Sequence, residues 1–387
     1  MWRAAALVAV LALASGAARA EPEVGDARLD PVPFAALEGW PADDHPTALR
    51  TFRRTCPALL APEPAPRPAA SAAALGPACR AALALAEETG AEEARAFFER
   101  WFAPRRVIPP SGAGFLTGYF EPEVEGSPVA TPNFTTPLLA RPDDLVSLAP
   151  GETLPGLDPA LQAARRGASG PEPYPDRGAI EDGALGALAR PLLYLRDPVD
   201  IFIIQVQGSA RVRLADGRAV RVAYAGRNGH PYTSVGRLMV QRGLVPLPEM
   251  NLERMTAWLR DHPAEGRALM RENRSYVFFR LNDELRPEDG PVGGAGVPLT
   301  PGRSLAVDRT LWAYGLPVWL EGELPRIEGG AEPLRRLMIA QDTGSAIVGP
   351  ARGDFYFGSG REAGTRAGLT RHPVAFTVLL PREEPLP

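Results

Sequence analysis

MIAQDTGSAIVGPARGDFYFGSGREAGTRAG (residues 338–368) is the stretch on which the fold turns. Within and beside it, RLMIAQD (336–342) and GDFYFGSG (353–360) read as short strands, each with an aspartate at or beside its end, Asp342 and Asp354. A third, Asp308, stands the same way in SLAVDRTLWAYG (304–315). Carboxylates at strand ends can be projected to one end of a sheet. Taken singly, each also reads as a turn-capping Asp, a common use of that residue. Gly344, Gly349, Gly353, Gly358 and Gly360 permit close approach, and Phe355 and Tyr356 offer ring faces. Acidic groups beside aromatic faces in a groove suit sugar rings and their hydroxyls.

Asp342-Thr343-Gly344-Ser345 is also how aspartic proteases present a carboxylate. That chemistry needs two carboxylates sharing one proton, and no second D-[ST]-G occurs in the chain. Dimers with one motif per subunit are built from small subunits, and 387 residues is not small. A serine hydrolase lacks its G-x-S-x-G elbow. A nucleotide site lacks its P-loop: all 42 basic residues are Arg, so no P-loop lysine exists. His45, His230, His262 and His372 each precede a proline and form no H-x-x-x-H pair, so no metal site is expected. No cofactor is expected either. The net charge of −4 and the lack of an Arg-rich, aromatic-interleaved patch argue against nucleic acid as a partner.

Outward from this stretch the texture stays β-rich. With 43 Pro and 39 Gly, the chain predicts many turns and short strands rather than a helical bundle. Most of the chain after Pro298 reads as short strands, and Gly358-Ser359-Gly360 as a turn. DIFIIQVQGSARVRLADGRAVRVAYAG (200–226) carries the clearest β signal, with Asp216-Gly217 as a hairpin turn. On that reading Gln205, Gln207 and Ser209 alternate along one strand face, either as a solvated polar face or as donors and acceptors for a ligand. Helices are expected over 43–56, over two segments of 72–102 broken at Thr89-Gly90, near 234–241 and near 251–260. Phe97, Phe98, Trp101 and Phe102 recur at helical spacing and should form a buried face. APEPAPRPAASAA (61–73) reads as a linker.

Residues 1–20 have Arg3, an apolar run and Ala18-Arg19-Ala20, the pattern of a cleaved secretory signal. A soluble, exported protein with no integral membrane segment is expected. Cys56 and Cys79 are the only cysteines, and an oxidising compartment suggests one disulfide between them, two buried thiols being the alternative.

Six blocks in order carry a resemblance: GFLTGYFEPEVEGS (114–127), DIFIIQVQGSARV (200–212), YAGRNGHPYTSVGR (224–237), NRSYVFFR (273–280), SLAVDRTLWAYGLPVWLE (304–321) and the opening stretch. Together they resemble the membrane-bound lytic murein transglycosylase A family over roughly 110–380. The last two belong to its three-aspartate (3D) domain. The resemblance implies a mainly β fold with some α: a double-psi β-barrel interrupted by a second β-rich domain, with a groove between them. The implied organisation is a signal peptide (1–20), a helical part with the first barrel strands (21–135), an inserted domain (136–285) and the 3D domain completing the barrel (286–381).

The family cleaves the MurNAc–GlcNAc β-1,4 bond of peptidoglycan without water, leaving a 1,6-anhydro ring. The resemblance implies Asp354 as the catalytic acid. Asp342 and Asp308 would raise its pKa or position hydroxyls, and Gly118, Tyr119, Tyr356, Gln205, Gln207 and Ser209 would line the groove. Arg366 would meet a peptide carboxylate or an aspartate, a surface ion pair being the alternative. Peptidoglycan strands are the implied partner, with wall-synthesis or division machinery as further candidates, and a monomer is expected. Many members carry a lipid-anchor Cys after the signal; the first Cys here is Cys56, so a soluble periplasmic protein is expected. The competing reading is an expansin-like protein that binds wall glycans without cleaving them.

Overall fold

The computed structural model describes residues 23–62, 70, 72–149, 151–282, 285–286 and 289–386. The expected signal segment and most of the expected linker lie outside the described residues. The described chain opens with β1 (Glu23–Val24), β2 (Ala27–Pro31), α1 (His45–Leu60), α2 (Gly76–Ala84), α3 (Ala91–Trp101), β3 (Phe102–Ile108) and β4 (Gly114–Glu121). A middle section follows: β5 (Glu123–Ser127), β6 (Thr136–Leu139), β7 (Leu145–Ser147), β8 (Ala163–Gly167), β9 (Gly170–Pro173), α4 (Arg177–Glu181), β10 (Pro191–Leu195), α5 (Pro198–Gln207), β11 (Ser209–Arg213), β12 (Ala219–Arg227), α6 (Val235–Gln241), α7 (Leu252–Asp261), α8 (Pro263–Arg271) and β13 (Val277–Leu281). The chain then closes with β14 (Ser304–Val307), β15 (Pro317–Pro325), β16 (Ala331–Asp342), β17 (Arg352–Ser359), α9 (Gly360–Leu369) and β18 (Arg371–Pro381).

Strand β4 and the last five strands close a six-stranded barrel in the order β4-β18-β15-β16-β14-β17 and back to β4. Two pairings are parallel, β4 with β17 and β14 with β16, and the other four are antiparallel. Alternate residues point inward. Leu116, Leu305, Val307, Val318, Leu320, Met338, Ala340, Phe355 and Phe376 fill the interior, and at about 25 cal/mol per Å² of apolar surface this burial is the main drive for closure. β3, β2 and β1 extend the sheet beyond β18.

Helices α1–α3 cover one side of the barrel. Phe52, Phe97, Phe98 and Phe102 pack with Trp319, Leu337 and Ile339, which point out of β15 and β16. The aromatic stripe is therefore core, with Trp101 only partly buried. Cys56 and Cys79 form a disulfide between α1 and α2, as expected.

The middle section builds a six-stranded sheet, β13-β12-β11-β5-β10-β6, and a small three-stranded one. The β11–β12 hairpin turns at Gly217 with φ +85°, as its Asp-Gly sequence requires. The preceding run departs from expectation. IFIIQVQ is helical, within α5. Asp197 caps it through Val199 N–H, Pro198 opens it, and Gly208 closes it at φ +86°. Five residues in a row, Val199 aside, are buried from Ile201 to Gln205, so no single apolar face remains to signal a helical period.

A second departure is α9, which begins where a turn was expected. It lies close on β4 because Gly118 has no side chain: a Cβ there would stand 2.5 Å from the Phe357 ring and 2.8 Å from Ala367 Cα. β16 and β18 are also longer than expected, at 12 and 11 residues.

Candidate functional site

Strand register assembles the site. On β14, Ala306 pairs with Asp342 of β16 on one side and with Asp354 of β17 on the other. Asp354 in turn pairs with Thr117 of β4. Laterally paired residues face the same way, so Asp342, Ala306, Asp354 and Thr117 form one row across four strands. Their sequence neighbours Leu116, Leu305 and Phe355 point into the barrel interior, so the row faces outward. The small Ala306 leaves room between the two carboxylates. Tyr119, two residues beyond Thr117, joins this face with its ring 5.2 Å from that of Tyr356.

The hydrogen bonds form a short chain. Arg352 Nη2 donates to Thr117 Oγ1 at 2.7 Å. Thr117 Oγ1 donates to Asp354 Oδ1 at 2.5 Å. Burial pushes the half-buried Asp354 carboxyl up to about 6, and the Asp342 charge pushes the same way, against Arg352 and the Thr117 hydrogen bond. Asp342 Oδ1 accepts from the N–H groups of Gly294 at 2.8 Å and Thr343 at 2.9 Å. Burial, then the charges of Asp342 and Asp354, hold the Tyr119 phenol well above its ordinary range. Tyr232, just before α6, also feels Asp354, although burial dominates its upward shift. Tyr232 belongs to the middle section of the chain, so that section contributes to the surroundings of Asp354. A cleft of about 630 Å³ lined by Leu192, Tyr224, Phe279, Arg280, Val292 and Gly293 adjoins the site, since Gly294 is bound to Asp342.

Among the residues singled out from sequence, the structure brings Asp354, Asp342 and Tyr119 together. The others are engaged differently. Asp308 is buried; it accepts from Thr310 N–H (3.0 Å) and Oγ1 (2.6 Å) and from Gly349 N–H (2.8 Å), pinning the β16–β17 loop. Gln205 and Gln207 share no strand face, because both are in α5. Gln205 is buried against Arg177, at 2.6 Å, and Gln207 Oε1 accepts from Phe120 N–H at 3.1 Å. Ser209 is buried at the start of β11. Tyr356 is fully buried behind Tyr119 and presents no ring face. Gly118 serves the approach of α9 instead of lining open space. Arg366 pairs with Glu332 and lies 5.2 Å over the Phe357 ring, the surface-pair alternative. Thr117, Arg352 and Tyr232 were missed. All three lie inside quoted blocks, but nothing local marks them: Thr117 meets its partner across 237 positions of sequence.

Comparison with known proteins now has a site to rest on. Residues 115–280 match the family of the MltA specific insert domain, and residues 303–380 match the 3D domain family. "Membrane-bound lytic murein transglycosylase A" of Vibrio cholerae is 39% identical over 204 residues, 51% of this chain and 54% of that protein. The match thus spans about half the length of this curated relative. A crystal structure of membrane-bound lytic murein transglycosylase from Agrobacterium tumefaciens superposes with a TM-score of 0.82 at 37% identity, covering 92% of this chain and 98% of that one. The Escherichia coli MltA structure with bound chitohexaose superposes at 0.64 with 25% identity, covering 94% of each chain. Among the described residues no helix is long and apolar enough to cross a membrane.

Proposed function

The chain belongs to the membrane-bound lytic murein transglycosylase A family, and on that premise we propose that it cleaves the MurNAc-β-1,4-GlcNAc bond of peptidoglycan with closure of a 1,6-anhydro-MurNAc ring. The observation that carries this reading is Asp354: one half-buried carboxyl, raised to about 6, on the outward face of the barrel. Glycosidases that use water need two carboxyl groups, one as acid and one as base or nucleophile. Here the nucleophile is the O6 hydroxyl of the sugar itself, which an intramolecular reaction supplies at high effective concentration. Asp354 gives its proton to O4 as the C1–O4 bond breaks. The carboxylate then takes the O6 proton as the O6–C1 bond forms. No water is consumed, and the acid is restored.

Asp342 supports the first step by keeping Asp354 protonated, and Tyr119 and Tyr232 frame the groove from its two sides. Binding of a β-1,4-linked hexasaccharide by the Escherichia coli relative is consistent with a glycan in this groove. We place the inserted domain between Pro122, just after barrel strand β4, and Asn282, just after β13, and place the protein in the periplasm on the strength of residues 1–20. The test is product analysis. Purified sacculi are incubated with the protein, and the soluble muropeptides are reduced with borohydride and weighed. Products one water lighter than hydrolytic ones, and resistant to reduction, are expected. Reducible ends would mean hydrolysis, and sacculus binding without release would mean a glycan-binding protein.

A further inference from the structure

We propose that Thr117 and Arg352 are positioning residues that hold the Asp354 carboxyl with its transferable proton on Oδ2. This rests on the role of Asp354 proposed above and goes beyond it. Arginine offers only donors. The 2.7 Å contact from Arg352 Nη2 therefore obliges Thr117 Oγ1 to accept, and its single proton is left for Asp354 Oδ1, 2.5 Å away. Oδ1 is thus an acceptor in both protonation states of Asp354. The acidic proton must sit on Oδ2, and it is Oδ2 that faces O4 in the first step and receives the O6 proton in the second. Without the Thr117 hydroxyl either oxygen could carry the proton, and a fraction of molecules would present a bare carbonyl oxygen to the leaving group.

The arrangement is also a way of tuning the acid. A guanidinium in direct contact would ionise Asp354 and remove its proton. Through an intervening hydroxyl, Arg352 orients the carboxyl while opposing its rise only in part. The titratable and charged groups facing Asp354 are Arg352 on its own strand, Asp342 on β16, Tyr119 on β4 and Tyr232 from the middle domain. Of these, Arg352 favours the carboxylate and Asp342 opposes it.

The experiment uses Thr117→Val, which keeps the shape and suits a β-strand, Thr117→Ser, which restores the hydroxyl, and Arg352→Met. Two readouts are taken. One is ¹³C-carboxyl NMR titration of Asp354, assigned with Asp354→Asn; the other is the pH profile of muropeptide release, with circular dichroism to establish folding. In Thr117→Val and Arg352→Met the Asp354 pKa should rise, by about one unit on the usual strength of a hydrogen bond to a charged group. The alkaline limb of activity should move up with it, while kcat falls about 10- to 100-fold with KM little changed. Thr117→Ser should restore both. An unmoved Asp354 titration in folded Thr117→Val would overturn the proposal. So would a serine variant as impaired as the valine one. The NMR readout needs no activity. A protein that makes no anhydro product in wild-type form but shows the shift would lose the functional reading and keep the hydrogen-bond assignment; a shift without any fall in kcat would sink the positioning role alone.

Discussion

Asp354 and Glu121 sit on neighbouring barrel strands, β17 and β4, and what touches them is opposite in kind. Glu121 is fully buried where the chain passes from the barrel into the inserted domain. Its carboxylate meets Arg211 Nε at 2.8 Å, Arg221 Nε at 2.8 Å and Ser359 Oγ at 2.8 Å. Both arginines come from the inserted sheet and also bind the Asp289 carbonyl. Two guanidinium groups are in direct contact with one carboxylate there. Asp354 has its arginine one hydroxyl away and a second carboxylate across Ala306. Glu121, in direct contact with two guanidinium groups, ties the barrel to the inserted sheet, whereas Asp354, with its arginine held one hydroxyl away, is pushed up by burial to about 6.

The largest expected break between the two is in turnover. Asp354→Asn should lose about 10³-fold or more of muropeptide release, because general acid–base catalysis contributes roughly 10²–10⁴-fold and in the proposed mechanism one group supplies both steps. Sacculus binding, measured by pull-down, should persist. Glu121→Ala should instead lower stability by about 3–5 kcal/mol, the usual effect of orphaning buried partners, seen as a fall in urea midpoint. Binding should weaken with it, since the groove depends on how the two domains meet.

Next in size is a stability gain at the site. The Asp354 carboxyl is raised to about 6, so between the unfolded value of 3.8 and that value the folded protein holds more protons than the unfolded chain. Stability attributable to this group therefore falls as pH rises through that window. Asp354→Asn removes the loss and should be more stable than wild type by about 1–3 kcal/mol at pH 7, with little difference at pH 3. Denaturation at the two pH values measures it. The smallest effect is expected for Asp342→Asn. Deleting a like charge lowers the Asp354 pKa, so the acid loses its proton earlier and the alkaline limb of activity should move down, by about one pH unit or less.

Much of the barrel was legible because its strands announce themselves locally. SLAVD, RLMIAQD and GDFYFGSG all became barrel strands, and Asp216-Gly217 became the hairpin turn. The resemblance of ordered blocks carried the fold as a whole. The α5 helix escaped because a segment buried on most sides loses its amphipathic period, and Gln205-Val206-Gln207 imitates a strand; Asp197, Pro198 and Gly208 were the signals available. The site was legible only in part for a different reason. Asp354 and Asp342 stand in recognisable motifs, whereas Thr117 becomes their neighbour through the parallel pairing of β4 with β17, which local spacing does not encode. Asp308, with the same strand-end look, turned out to pin a loop.

In the proposed mechanism one carboxylate suffices because water takes no part. Digestion of sacculi in ¹⁸O-enriched water tests it directly. Muramic ends that carry no heavy oxygen above background are expected. Incorporation of one ¹⁸O per cleaved bond would contradict the mechanism, and would require a second residue at the site to activate water.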